Sequence, residues 1–197
     1  MAGYVGPNKV TPGVAEYIDW VPLAKATLTD HSTVTFDGLS SGDFDIYRFV
    51  FVNMHPETDG AEFQFQGNAS GQTGFNETMS TILWGNYQNE GDSDAQFEGP
   101  NTSFDLTQET GFATLSVNQG SDADQHMAGW LEIFAPASTT YVKHMIYRTT
   151  GMHNSDYVWN VQGAGYFNTS SAIEQIQFKF SSGEMQDGII TMFGLNQ

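Results

Sequence analysis

The feature that most limits what this chain can fold into is a two-residue alternation of apolar and polar side chains, repeated in short segments between turns. Glu62-Phe63-Gln64-Phe65-Gln66 switches strictly from polar to apolar. Ile176, Phe178 and Phe180 share one side of a segment whose other side carries Gln175, Gln177 and Lys179. A period of two belongs to a strand with one buried face and one wet face, as antiparallel sheets have. The same reading extends to Val34–Phe36, Ile46–Met54, Met79–Tyr87, Phe112–Val117, Gly129–Phe134, Tyr141–Arg148, Tyr157–Val161 and Ile189–Phe193. Turn-rich stretches such as His55–Gly60, Asn89–Asp94, Gly120–Asp124 and Gly151–Asp156 separate them. About ten strands with a turn every dozen or so residues form an all-β antiparallel sandwich or barrel. Helix signals are weak: one turn over Ser170–Gln175 and a short stretch over 14–20. The final hairpin, Ile173–Phe180 and Ile189–Leu195, places the last strand in the core and not in a tail.

Residues 1–30 are different. Gly3, Gly6, Pro7, Pro12, Gly13 and Pro22 punctuate them, a density that excludes a long helix. Tyr17, Ile18, Trp20, Val21 and Leu23 form an apolar cluster that is costly to leave in water. This cluster is a candidate set of assembly contacts, docking on its own domain or on a neighbouring subunit. The expected organisation is an extended N-terminal arm over 1–30 and one sandwich over 31–197, a size ample for a single core.

The charge narrows the choice of partners. With 23 acidic residues against six Lys and Arg, the net charge is −17. Such a surface repels phosphate backbones and anionic head groups, so nucleic acid and membrane are not expected partners. No apolar run is long enough to span a bilayer as a helix. The chain has no Cys, which removes disulfides and thiolate chemistry and agrees with assembly in a reducing cytoplasm. Met1–Pro7 lacks the charged and apolar regions of a signal peptide, so the N-x-S/T sequons at Asn68, Asn76, Asn101 and Asn168 read as turns.

No catalytic constellation is visible. There is no G-x-S-x-G elbow and no phosphate-binding glycine loop, and the five histidines (His31, His55, His126, His144, His153) lack H-x-x-x-H spacing. The chain is therefore read as non-enzymatic and without a cofactor. Calcium is the metal that its acidic loops would suit, with Asp92 and Asp94 the first ligands to consider, although the EF-hand order is absent. Carbohydrate is the ligand class that the aromatic content favours, because flat rings stack on sugars while Asn, Gln and Asp bond hydroxyls. Trp159, Tyr157, Trp84 and Tyr87 are the chief candidates, with Trp130 and Tyr147 behind them, set against the core packing that claims most aromatic side chains.

Three stretches carry a family likeness: Tyr47-Arg48-Phe49-Val50-Phe51-Val52-Asn53-Met54-His55-Pro56-Glu57-Thr58-Asp59, Ser138–His144, and Gly165–Ile173 running into Ile176–Gly183 and Asp187–Leu195. Together, over roughly residues 30–195, they resemble virion structural proteins of marine bacteriophages, particularly those of cyanobacteria, and related tail-fibre-like modules. The closing S-S-G…D-G-x-I-x-M-x-G-L pattern is the most specific part. The resemblance implies a sandwich of jelly-roll type, made in bacterial cytoplasm and displayed on the particle exterior as a capsid decoration or tail-associated module. Other phage structural proteins are the implied partners, with a homo-oligomer such as a trimer and a host-surface glycan beside them. A lectin-like attachment module and a tail polysaccharide-degrading enzyme are the alternatives. The family pattern transfers no catalytic residue.

Overall fold

The computed structural model describes residues 4–5, 8–9, 19–100 and 102–195. In chain order the strands are β1 (Tyr4–Val5), β2 (Asn8–Lys9), β3 (Val21–His31), β4 (Val34–Phe36), β5 (Ile46–Pro56), β6 (Ala61–Ala69), β7 (Met79–Asn89), β8 (Ala95–Glu98), β9 (Thr107–Glu109), β10 (Ala113–Gln119), β11 (Met127–Phe134), β12 (Lys143–His153), β13 (Tyr157–Phe167), β14 (Ile173–Phe180) and β15 (Met185–Leu195). β1 pairs with β2, and the other thirteen strands form one sheet. The fold is all-β and antiparallel, as expected.

The sheet doubles over on itself into two layers. The broad layer runs β3-β15-β5-β11-β12-β13-β7, with β8 and β9 both on the outer edge of β7. The second layer runs β10-β6-β14-β4. One paired position, Gln119 of β10 with His153 of β12, joins them. Alternate residues of the broad layer point at the second layer, and there Phe49, Phe51, Leu131, Ile133, Tyr147 and Ile190 are buried. They meet Phe63 and Phe65 of β6, Leu115 of β10, and Phe178 and Phe180 of β14, all buried as well.

Phe178 is the hub of this core. Its ring centroid lies 5.2 Å from Phe49, 5.3 Å from Phe51, 5.9 Å from Phe63 and 6.1 Å from Phe36. Three of the four contacts are edge-on, the arrangement that the ring quadrupole prefers. Each fully buried Phe of this kind contributes about 1.5–3 kcal/mol. Gly163 makes room for another ring: a Cβ there would lie 1.9 Å from Tyr147 Cζ. Tyr147 is the cross-strand partner of Gly163, so its ring covers the bare backbone of the neighbouring strand. At the closing hairpin Gly183, with φ of 67°, turns β14 into β15, which inserts between β3 and β5.

Several boundaries differ from the sequence expectation. The segment assigned to an arm joins the sheet from Val21 onward, where β3 pairs with β15 over its full length. Periodicity misses β3 because it is an edge strand: of its eleven residues only Leu28 is buried, and Ala26 is half-buried. Pro22 is tolerated there because an edge leaves one row of N–H groups without a ladder partner. The helical turn expected over Ser170–Gln175 does not form, since Ile173 to Gln175 open β14. The one helical turn among the described residues is a 3₁₀ turn at Leu39–Ser41, flanked by Gly38 and Gly42 in left-handed conformation. Of the stretch 14–20, residues 14–18 lie outside the described residues, and Asp19 and Trp20 are not helical. The strand expected from Tyr141 begins at Lys143, whose buried ammonium donates to the carbonyls of Tyr141 and Thr169. Burial pushes Lys143 below the usual lysine range, with Glu77 opposing that shift.

Candidate functional site

The antiparallel register sorts the outer residues of the broad layer into rows. One row crosses the strands as Trp84 (β7), Gln162 (β13), Arg148 (β12), Trp130 (β11) and Val50 (β5). A second, two residues along, reads Phe97 (β8), Asn86, Asn160, Thr150 and Ala128. A third, on the other side, reads Ile82, Ala164, Ile146, Glu132, Arg48 and Phe193. Trp84 and Trp130 are thus three strand spacings apart, about 14 Å. Both are half-buried, and Phe97 is 72% exposed. Beside Trp130 the surface dips into an open groove lined also by Asn86, Arg148, Thr150, Asn160 and Gln162, with Trp84 paired to Gln162 just beyond it.

Both arginines of the chain project from this face, and their surroundings differ. The guanidinium of Arg48 lies 4.3 Å from the centre of the Trp20 ring and 5.3 Å from that of Trp130. Its Nε donates to Glu132 Oε1 at 2.7 Å, and its charge is compensated there. Trp20 thereby docks on the chain's own sheet. Arg148 is exposed and donates from Nε to the side-chain oxygen of Asn160 at 3.0 Å. Asn160 in turn donates to Asn86 Oδ1 at 2.9 Å. The three side chains form a ladder across β12, β13 and β7 that holds the guanidinium in place without neutralising it.

The carbohydrate candidates read from the sequence do not converge on one site. Trp159 was expected to offer an exposed platform, and the structure corrects this: it is 8% exposed. Position 159 shares its parity with Val161 and Gly163, so it faces inward on β13. Its ring stacks on Tyr87 (5.1 Å, 13°) and on His153 (5.9 Å, 27°). Tyr157 closes the group against Tyr87 at 5.0 Å and His153 at 5.5 Å. Trp84 lies on the opposite face of the layer, and Tyr147 is fully buried in the core. Trp130 is the second aromatic that the structure places beside Trp84 on the outer face.

The remaining expectations fall as follows. Asp94 accepts from the Tyr87 hydroxyl at 3.1 Å and from Gln96, and Asp92 accepts from Gln88 at 3.1 Å. Both carboxylates therefore tie the β7–β8 hairpin together. Among the described residues no three His, Cys, Asp or Glu side chains gather into a metal site. Tyr17 and Ile18 lie outside the described residues, while Val21 and Leu23 are exposed at the start of the edge strand β3. Sequence reasoning missed Arg148, Asn160, Asn86 and Gln162, because their convergence needs the β12–β13 hairpin to pair with β7, which lies far earlier in the chain. One signal was available: Trp130 and Arg148 alternate with residues that take the buried positions, Leu131 and Ile133 on β11 and Met145, Tyr147 and Thr149 on β12.

Comparison with protein-family models, with curated proteins and with solved structures returns no match for this chain.

Proposed function

We propose that this chain is a non-enzymatic structural protein of a bacteriophage particle, present in several copies on the particle exterior and acting through surface contacts. The observation that carries this reading is the coincidence of the phage-like closing pattern with the centre of the fold. That pattern supplies Ile190 and Met192, and the resembling stretch that leads into it supplies Ile176, Phe178 and Phe180; all five are buried, so the likeness lies in the hairpin that organises the sandwich. The acidic charge suits a component packed at high copy number, because like-charged surfaces resist aggregation.

The layout supports a division of labour. β3, which follows directly from the N-terminal segment, occupies one edge of the broad layer, and β7 lies six strands away, roughly 29 Å along the sheet. Attachment at the β3 edge, through Val21, Leu23 and the segment before them, leaves the outer face of β7, β13, β12 and β11 free. The test is to purify particles of the encoding phage by density gradient and quantify this chain by mass spectrometry. A fixed stoichiometry matching a capsid or tail symmetry is expected. Absence of the chain from purified particles overturns the reading.

A further inference from the structure

We propose that the groove on the outer face of β7, β13, β12 and β11 binds an acidic oligosaccharide, with Arg148 taking a sugar carboxylate and Trp130 and Trp84 stacking on sugar rings. Acidic side chains outnumber basic ones 23 to six, so carboxylates are abundant enough to pair with any surface cation. Arg48 has such a partner in Glu132, Lys143 is buried against carbonyls, Lys179 sits over the Phe112 ring at 4.5 Å, and Lys25 lies exposed on the edge strand β3, away from the groove. Arg148 is held instead by a neutral amide through Nε alone, and among the described residues no carboxylate lies within ion-pair distance of it. Its two terminal amino groups remain to grip a carboxylate in the two-pronged geometry that a guanidinium fork favours.

The groove around Arg148 has the remaining parts of a sugar site. Trp130 lines it, and Trp84 stands in the same row beside Gln162, about 14 Å from Trp130, a span of several linked sugar rings. Amphipathic aromatic faces suit the C–H surface of such rings. Asn86, Asn160 and Gln162 lie between them and offer both donors and acceptors to hydroxyls. The Asn86–Asn160–Arg148 ladder is already formed, so less side-chain freedom is lost on binding. A densely charged polyanion does not fit, because the chain, at a net charge of −17, repels it. A neutral chain with occasional carboxylates does. The proposal rests on the reading above only in taking this face as the one turned outward.

The test uses the isolated full chain on a printed array of oligosaccharides in matched pairs, each neutral glycan beside its counterpart bearing one uronic or sialic acid. Acidic members are expected to bind roughly tenfold or more above their neutral partners, the worth of one charge-assisted hydrogen-bonded pair. Arg148→Gln should erase that excess, and Arg148→Lys should restore only part of it. Trp130→Ala should weaken both members of each pair. Tyr141→Ser, at an exposed residue outside the groove, should change nothing. A single cooperative melting transition well above the assay temperature establishes that each variant is folded. Failure of every acidic member to bind, equal binding of acidic and neutral members, or a preference that survives Arg148→Gln overturns the proposal. Because the array needs no particle, such a failure leaves the phage assignment to the stoichiometry measurement.

Discussion

The broad layer carries one group of aromatic side chains on each of its faces, and they lead different lives. On the inner face Tyr87, His153, Tyr157 and Trp159 stack on one another. On the outer face Trp84 and Trp130 stand apart with polar side chains between them. A one-residue offset decides which group a side chain joins: Val158 is 49% exposed and Trp159, its neighbour, is 8% exposed. Residue type therefore says little about role here. The pleat assigns each ring to packing or to solvent, and only the solvent-facing rings are free to meet a ligand.

The largest effect expected from this contrast comes from deleting one ring of each group. Trp159→Ala should lower stability by about 3–5 kcal/mol, as large-to-small changes at packed aromatic positions do. Trp130→Ala should cost at most about 1 kcal/mol, the worth of an exposed cation–π contact with Arg48. Urea denaturation of the two variants measures the difference directly, and equal losses would break the distinction between the faces. Next in size is Gly163→Ala. The new methyl group would collide with the Tyr147 ring, and overpacking of this kind costs about 1–3 kcal/mol. A comparably small enlargement on the outer face, Ala128→Ser, should leave the melting temperature within a degree or so of wild type, since that half-buried side chain points away from the core and surface changes fall within about 0.5 kcal/mol.

The smallest effect is a pH dependence confined to the inner stack. Burial lowers the His153 pKa, with Asp59 and Glu98 opposing the shift. Its Nδ1 accepts from the Ser155 N–H at 3.1 Å, a bond that the doubly protonated ring cannot keep. The sign follows from proton uptake. Below the ordinary histidine value of about 6.5 the unfolded chain takes up a proton that the folded chain resists, so stability falls as pH drops through that window. Thermal melts at pH 7.5 and 5.5 should show a larger loss for the wild type than for His153→Gln. Equal losses would remove His153 from the account.

Much of the fold was legible in the chain, and the reasons for the exceptions are physical. Glu62–Gln66 and Ile173–Phe180 announce their strands because each has one wet and one dry face, and the structure places them as neighbours in the second layer. Val21–His31 could not be read in this way, because an edge strand exposed on both faces has no alternation to display. β8 and β9 were missed for a related reason, as short edge pieces held by β7 and almost without buried residues. The aromatic candidates were half legible. Trp84 and Trp130 were named, but Trp159 and Tyr157 were grouped with Trp84 because the register of β13 on β7, which sets them on opposite faces, is not written in either segment alone.

What the sequence by itself determined is the class of structure: period-two patterning and turn residues act locally, within a few bonds, and leave little choice but antiparallel strands. The composition determined the sign of the surface and the absence of thiol chemistry in the same direct way. The tertiary structure alone decided which strands pair. That choice put Arg148 between Trp130 and Gln162, held by Asn160 and Asn86, and it put Arg48 between Trp20 and Glu132. Two arginines of identical chemistry thus became one compensated side chain and one open one. The reason is that register couples residues far apart along the chain, and no local pattern carries that information.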